Sequence, residues 1–134
     1  MAVKMKIFHN RTFKIVENMY GVPVTLIIGD YDYYNKTIKK KFNVTDLEKR
    51  YSGGETQWIK QGGNFEIFVW MPEITFHSAN YGTLAHELLH VAFLIMKNTG
   101  FKFDYDNTEP INYLFDFLMT ETLWALAKAR KKKK

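Results

Sequence analysis

The segment from Ala79 to Asn98 constrains the fold more than any other part of the chain, because it is apolar almost all the way round when wound as a helix. A helix with no polar side is expected in the interior, flanked by neighbours on several sides. Ser78 or Asn80 can cap its start, and Gly100 stands just past its end. A second long helix should begin at Thr108-Glu109-Pro110, with threonine as cap and proline in the first turn, and run on Ile111, Leu114, Phe115, Leu118, Leu123 and Leu126.

The partners of these helices are strands. Val22-Pro23-Val24-Thr25-Leu26-Ile27-Ile28 is β-branched, continuous and closed by Gly29-Asp30, which predicts a buried strand. Glu55 to Gln61 and Asn64 to Met71 flank Gly62-Gly63, a dipeptide suited to the positive φ angles of a tight hairpin. In the second of these, Phe65, Ile67 and Val69 alternate with Glu66, Phe68 and Trp70 until Pro72 ends the run, so both faces are apolar. Between the two strand regions, Ile38, Phe42 and Leu47 predict a lysine-rich surface helix over 35–51, preceded by Tyr31-Asp32-Tyr33-Tyr34, either a loop that packs its rings or a partner surface. Phe13, Ile15 and Met19 fit neither period. The order of elements implies an α+β domain, a small mostly antiparallel sheet packed on two C-terminal helices.

With 134 residues, 46% of them apolar and 16% aromatic, the chain suits one domain and excludes global disorder. We place that domain at 1–127 and a basic tail, expected to be disordered, at 128–134. The net charge of +5 belongs to the tail: Lys128, Arg130 and Lys131 to Lys134 hold six of the 19 basic residues, leaving 13 against 14 acidic ones. Such a tail either attracts phosphate backbones weakly and in a salt-dependent way or is a solubilising helix end, where cations are favoured, and the neutral body argues against a nucleic-acid-binding face. Met1 to His9 holds lysines at positions 4 and 6 but no apolar run of signal-peptide length, and no run suits a membrane span, so a cytoplasmic location is expected. With no cysteine, histidine and carboxylate are the only strong metal ligands.

Against that background His86-Glu87-Leu88-Leu89-His90 stands out. Residues four apart share a helix face, so the two imidazoles can converge on one point, as zinc requires of its ligands. Glu87 would stand beside the metal and not on it, where a general base belongs. Three ionisable groups in a core helix would also carry a large burial cost unless something satisfied them, either a metal or, as the alternative, hydrogen bonds between the histidines themselves. Two histidines make a weak site, so a third ligand is expected. Glu109, at the start of its own helix, is the first candidate; Asp104 and Asp106, in the preceding loop, are the alternatives.

These residues carry a resemblance. His86-Glu87-Leu88-Leu89-His90 resembles the HExxH signature of zincin metallopeptidases, and Glu109, with 18 residues between it and His90, looks like the third ligand of the gluzincin branch. The segment from Asn64 to Phe117, with Gly82-Thr83-Leu84-Ala85-His86-Glu87 and Asn107-Thr108-Glu109-Pro110-Ile111-Asn112-Tyr113-Leu114, is similar to small zinc peptidases encoded by tailed bacteriophages. Compact zincin domains of the SprT group are similar too, but they expect a third histidine, and none follows His90.

The resemblance implies a Zn2+ cofactor held by His86, His90 and Glu109. It also implies a protein or peptide substrate, hydrolysed by a zinc-bound water that Glu87 activates. For a phage protein the compartment is the host cytoplasm, and the substrate a virion or host protein. The strand Asn64–Met71 is similar in position to the zincin edge strand, along which a substrate pairs. Larger gluzincins carry an aspartate four residues after the glutamate ligand, where this chain has Tyr113; Asp116, seven residues after Glu109, returns to nearly the same face and could orient a histidine in its place. Tyr113 either donates to a tetrahedral intermediate or packs between helices. Two rival readings are a zinc-containing binding module without catalysis and a nucleic-acid-associated factor acting through the lysine tail.

Overall fold

The computed structural model describes residues 10–15, 20–42, 53–74, 78–102 and 104–131. Its elements in chain order are β1 (Arg11–Ile15), β2 (Val24–Ile28), α1 (Tyr31–Phe42), β3 (Glu55–Gln61), β4 (Asn64–Met71), α2 (Ser78–Asn98) and α3 (Glu109–Lys131). The strands form a single mixed sheet of order β1-β2-β4-β3. β1 pairs antiparallel with β2, β2 parallel with β4, and β4 antiparallel with β3. The expected α+β domain is therefore present.

The alternation of side chains divides the core in two. Val24, Leu26, Ile28, Ile67, Val69 and Met71 face the larger cluster, which α2 and α3 complete with residues such as Leu84, Leu88, Ile95, Leu114 and Leu118. Ile27, Phe68 and Trp70 face the other way, onto Tyr34 and Ile38 of α1. The sheet is thus covered on both faces, which is why β2 and the second half of β4 read as continuous apolar runs.

The hairpin forms as its dipeptide requires. Gly62 and Gly63 have φ of 55° and 84°, the paired positive values of a two-residue turn whose twist suits the strands. The hairpin also corrects one expectation. Asn64–Met71 is not the sheet edge: β4 lies between β2 and β3, and the edge on that side is β3. Two apolar faces and two paired edges go together, and the more polar β3 takes the outside position.

Several boundaries differ from the sequence reading for identifiable reasons. α1 begins at Tyr31, because the Asp30 carboxylate accepts a hydrogen bond from the Tyr33 amide at 2.8 Å and caps the helix. The Tyr31–Tyr34 cluster is accordingly a first helical turn, with Tyr34 buried and stacked on Trp70 at 5.1 Å. Residues 43–51 of the expected surface helix lie outside the described residues. β1 was not legible as a strand; in it Phe13 and Ile15 pack on the core while Thr12 and Lys14 face solvent. At the other end α3 continues to Lys131, so residues 128–131 form a helix end, the alternative to a disordered tail.

The main correction concerns α2. It is not buried all round: Leu89 and Phe93 are 41% and 42% exposed, and His86, His90 and Lys97 lie on the same outward face. The sheet covers one flank and α3 another, and the third flank is open.

Candidate metal centre

On that open flank His86 and His90, one helical turn apart, direct their imidazoles at the same place. Their Nε2 atoms are 3.2 Å apart, with the rings 80° from coplanar. Two nitrogens bound to one tetrahedral zinc at about 2.0–2.1 Å lie about 3.3–3.4 Å from each other, so the pair is set close to the spacing of two zinc ligands. A hydrogen bond between a protonated and a bare Nε2 would have the same length. Between exposed rings, however, water satisfies each nitrogen equally well, so such a bond adds little. The donor set fits zinc as far as it goes.

Glu87 sits differently. It is the one carboxylate among the buried residues described, at 6% exposure, and it leans toward β3. The Thr56 hydroxyl donates to its Oε1 at 2.7 Å and also lies 3.2 Å from the Glu87 carbonyl oxygen. The second carboxylate oxygen, Oε2, stands 3.9 Å from the His86 Nε2. The acid is therefore beside the imidazole pair with one oxygen held by the sheet and the other turned toward the histidines. The burial cost expected for three ionisable groups falls on Glu87 alone, and Thr56 offsets it.

Gly54 makes this approach of strand and helix possible. A Cβ at that position would stand 3.2 Å from the Glu87 Cγ, 3.2 Å from the Trp70 carbonyl oxygen and 3.3 Å from the Thr83 Cγ2. Neither Gly54 nor Thr56 was identified from the sequence. Both lie on the α2-facing side of the β3 segment, which only the strand pairing reveals.

The remaining expected residues are less well assembled. Glu109 is the first residue of α3 and exposed, and Asp116 is exposed as well. Tyr113 is 64% exposed, which excludes the packing between helices that was one expectation for it. Asp104 accepts a hydrogen bond from the Asp106 amide at 2.9 Å and serves a loop turn. Among the described residues no three histidine, aspartate or glutamate side chains are gathered as a metal-holding group. The structure thus brings His86, His90 and Glu87 together and does not bring Glu109, Asp104 or Asp106 to them. His9 and His77 lie outside the described residues.

Beyond the histidines the groove between α2 and β3 opens into a cleft lined by Trp58, Lys60, Phe65, Leu94, Lys97 and Asn98. Trp58 follows Thr56 by two residues on the same strand face, and Leu94 follows His90 by one helical turn. No described helix is long and apolar enough to cross a membrane. Compared with known proteins, the chain matches no family, no curated protein and no solved structure.

Proposed function

We propose that this protein is a zinc-dependent peptidase of the zincin type, gluzincin-like in its ligand spacing, with His86 and His90 as ligands and Glu87 as the general base. The observation that carries the reading is the 3.2 Å convergence of the two Nε2 atoms beside a buried carboxylate. For the third ligand the proposal keeps Glu109, on its spacing in the sequence and its place at the start of α3.

His86, His90 and Glu109 would hold the zinc ion, which would supply Lewis acidity toward a carbonyl and a water. The chain's own contribution is proton transfer. With Oε1 engaged by Thr56, Glu87 has Oε2 free to take a proton from the attacking water and pass it to the leaving amine. A site that only bound metal for structure would gain nothing from burying an acid beside it.

Metal analysis of the purified protein beside His86→Ala, Glu109→Ala and Glu87→Gln tests the reading. Near-stoichiometric zinc in the parent, lost in the first two variants and kept in the third, is the expected result. Zinc kept in Glu109→Ala would move the third ligand to another carboxylate. Absence of zinc from the parent under zinc-replete conditions would overturn the proposal. Peptide hydrolysis by the parent should fall about 10²–10⁴-fold in Glu87→Gln. Zinc binding with no hydrolysis in the parent would instead favour the binding module.

A further inference from the structure

We infer that the cleft of Trp58, Lys60, Phe65, Leu94, Lys97 and Asn98 is a subsite for a carboxylate of an extended peptide lying along β3. This deepens the peptidase reading and rests on it for the identity of the ligand as a peptide. The argument begins with charge. Lys60 and Lys97 both line the cleft, no acidic side chain does, and neither lysine has an ion-pair partner among the described residues.

At the end of α2 three carbonyls are engaged by backbone amides: Thr99 N reaches Ile95 O at 3.1 Å, Phe101 N reaches Met96 O at 3.0 Å, and Gly100 N reaches Lys97 O at 3.0 Å. Lys60 lies over the Phe65 ring at 5.9 Å, which steadies its ammonium at the rim without cancelling the charge. The walls are apolar, from Trp58, Phe65 and Leu94, and Trp58 is 53% exposed. An apolar stem ending in a carboxylate complements such a lining, with the Asn98 amide as a further donor.

Position supports the same occupant. Among the described residues β3 pairs on one side only, so its outer edge is open to an added strand. From Thr56, which holds Glu87, to Trp58 is about 6.6–6.8 Å along the strand, the spacing of two residues in an extended peptide. A peptide whose reacting carbonyl lies at the histidines therefore reaches the cleft within two or three residues. The carboxylate is either an acidic side chain there or the peptide's own C-terminus.

The test uses the full chain carrying Glu87→Gln, to suppress turnover, and fluorescein-labelled apolar hexapeptides read by anisotropy. The peptides differ in one position, Glu against Gln, and in a free against an amidated C-terminus. The expected result is about tenfold tighter binding of a carboxylate-bearing peptide than of its amide counterpart. Lys60→Gln with Lys97→Gln should abolish that preference. A preference confined to Glu assigns the subsite to a side chain, and one confined to the free terminus assigns it to a chain end.

Equal binding of all peptides, or a preference that survives loss of both lysines, overturns the inference. Because the readout is binding, these outcomes are separate from failure of the peptidase reading, which shows as absence of zinc or hydrolysis in the parent.

Discussion

Glu87 is the residue on which chemistry and stability meet. It is a carboxylate at 6% exposure whose partner, Thr56, donates from a neighbouring strand at 2.7 Å. Removing the hydroxyl in Thr56→Val leaves a buried acceptor without its donor, which should destabilise the fold by about 1.5–3 kcal/mol. On the proposed peptidase reading, hydrolysis should also fall on the order of tenfold through kcat, with zinc content unchanged. Thr56→Ser keeps the hydroxyl and should restore both. If serine restores stability but not turnover, the hydroxyl supports the fold without setting the activity of the acid. The sequence pointed to Glu87 because its spacing from two histidines is local. Thr56 was invisible for the opposite reason, since a contact across 31 residues depends on strand pairing that no short motif encodes.

At the scale of elements, the legible parts are those whose signal is complete within a few residues. The Gly62-Gly63 turn fixes both strands of the hairpin and their register, Gln61 opposite Asn64, and Pro110 fixes the start of α3. What could not be read is which flank of an apolar helix stays open. Leucine occupies both the covered side of α2, at Leu84 and Leu88, and its exposed side, at Leu89 beside Phe93, so composition cannot tell them apart. The neighbouring α3 presents the converse case, a polar atom on the covered side. Thr122 is fully buried and its Oγ1 has no hydrogen-bond partner among the described residues. Thr122→Val retains the branched shape and removes the unsatisfied oxygen, so it should raise stability by about 1 kcal/mol. Thermal melts should show an increase of about 3–4 °C. A lower melting temperature would mean that the hydroxyl has a partner in solution.

At the scale of the molecule, the sheet separates two hydrophobic clusters, and the proposed site lies on the side of the larger one. α1 closes one face with the stacked Tyr34 and Trp70, while on the other α2 keeps a flank clear that carries both histidines. The histidines belong to neither core cluster, as the proposed ligand role requires. This separation predicts how metal acts on stability. An ion that binds the folded pair and not the unfolded chain stabilises by about 2.7 kcal/mol at a hundredfold excess over its dissociation constant. For a domain of this size that is a rise in Tm of about 10 °C. Calorimetry with and without zinc should show the rise, chelation should reverse it, and His86→Ala should lack it while melting near the metal-free parent, because its side chain lies outside the core. If instead His86→Ala melts well below the metal-free parent, the imidazole pair supports the fold directly and the open flank is not a site reserved for metal.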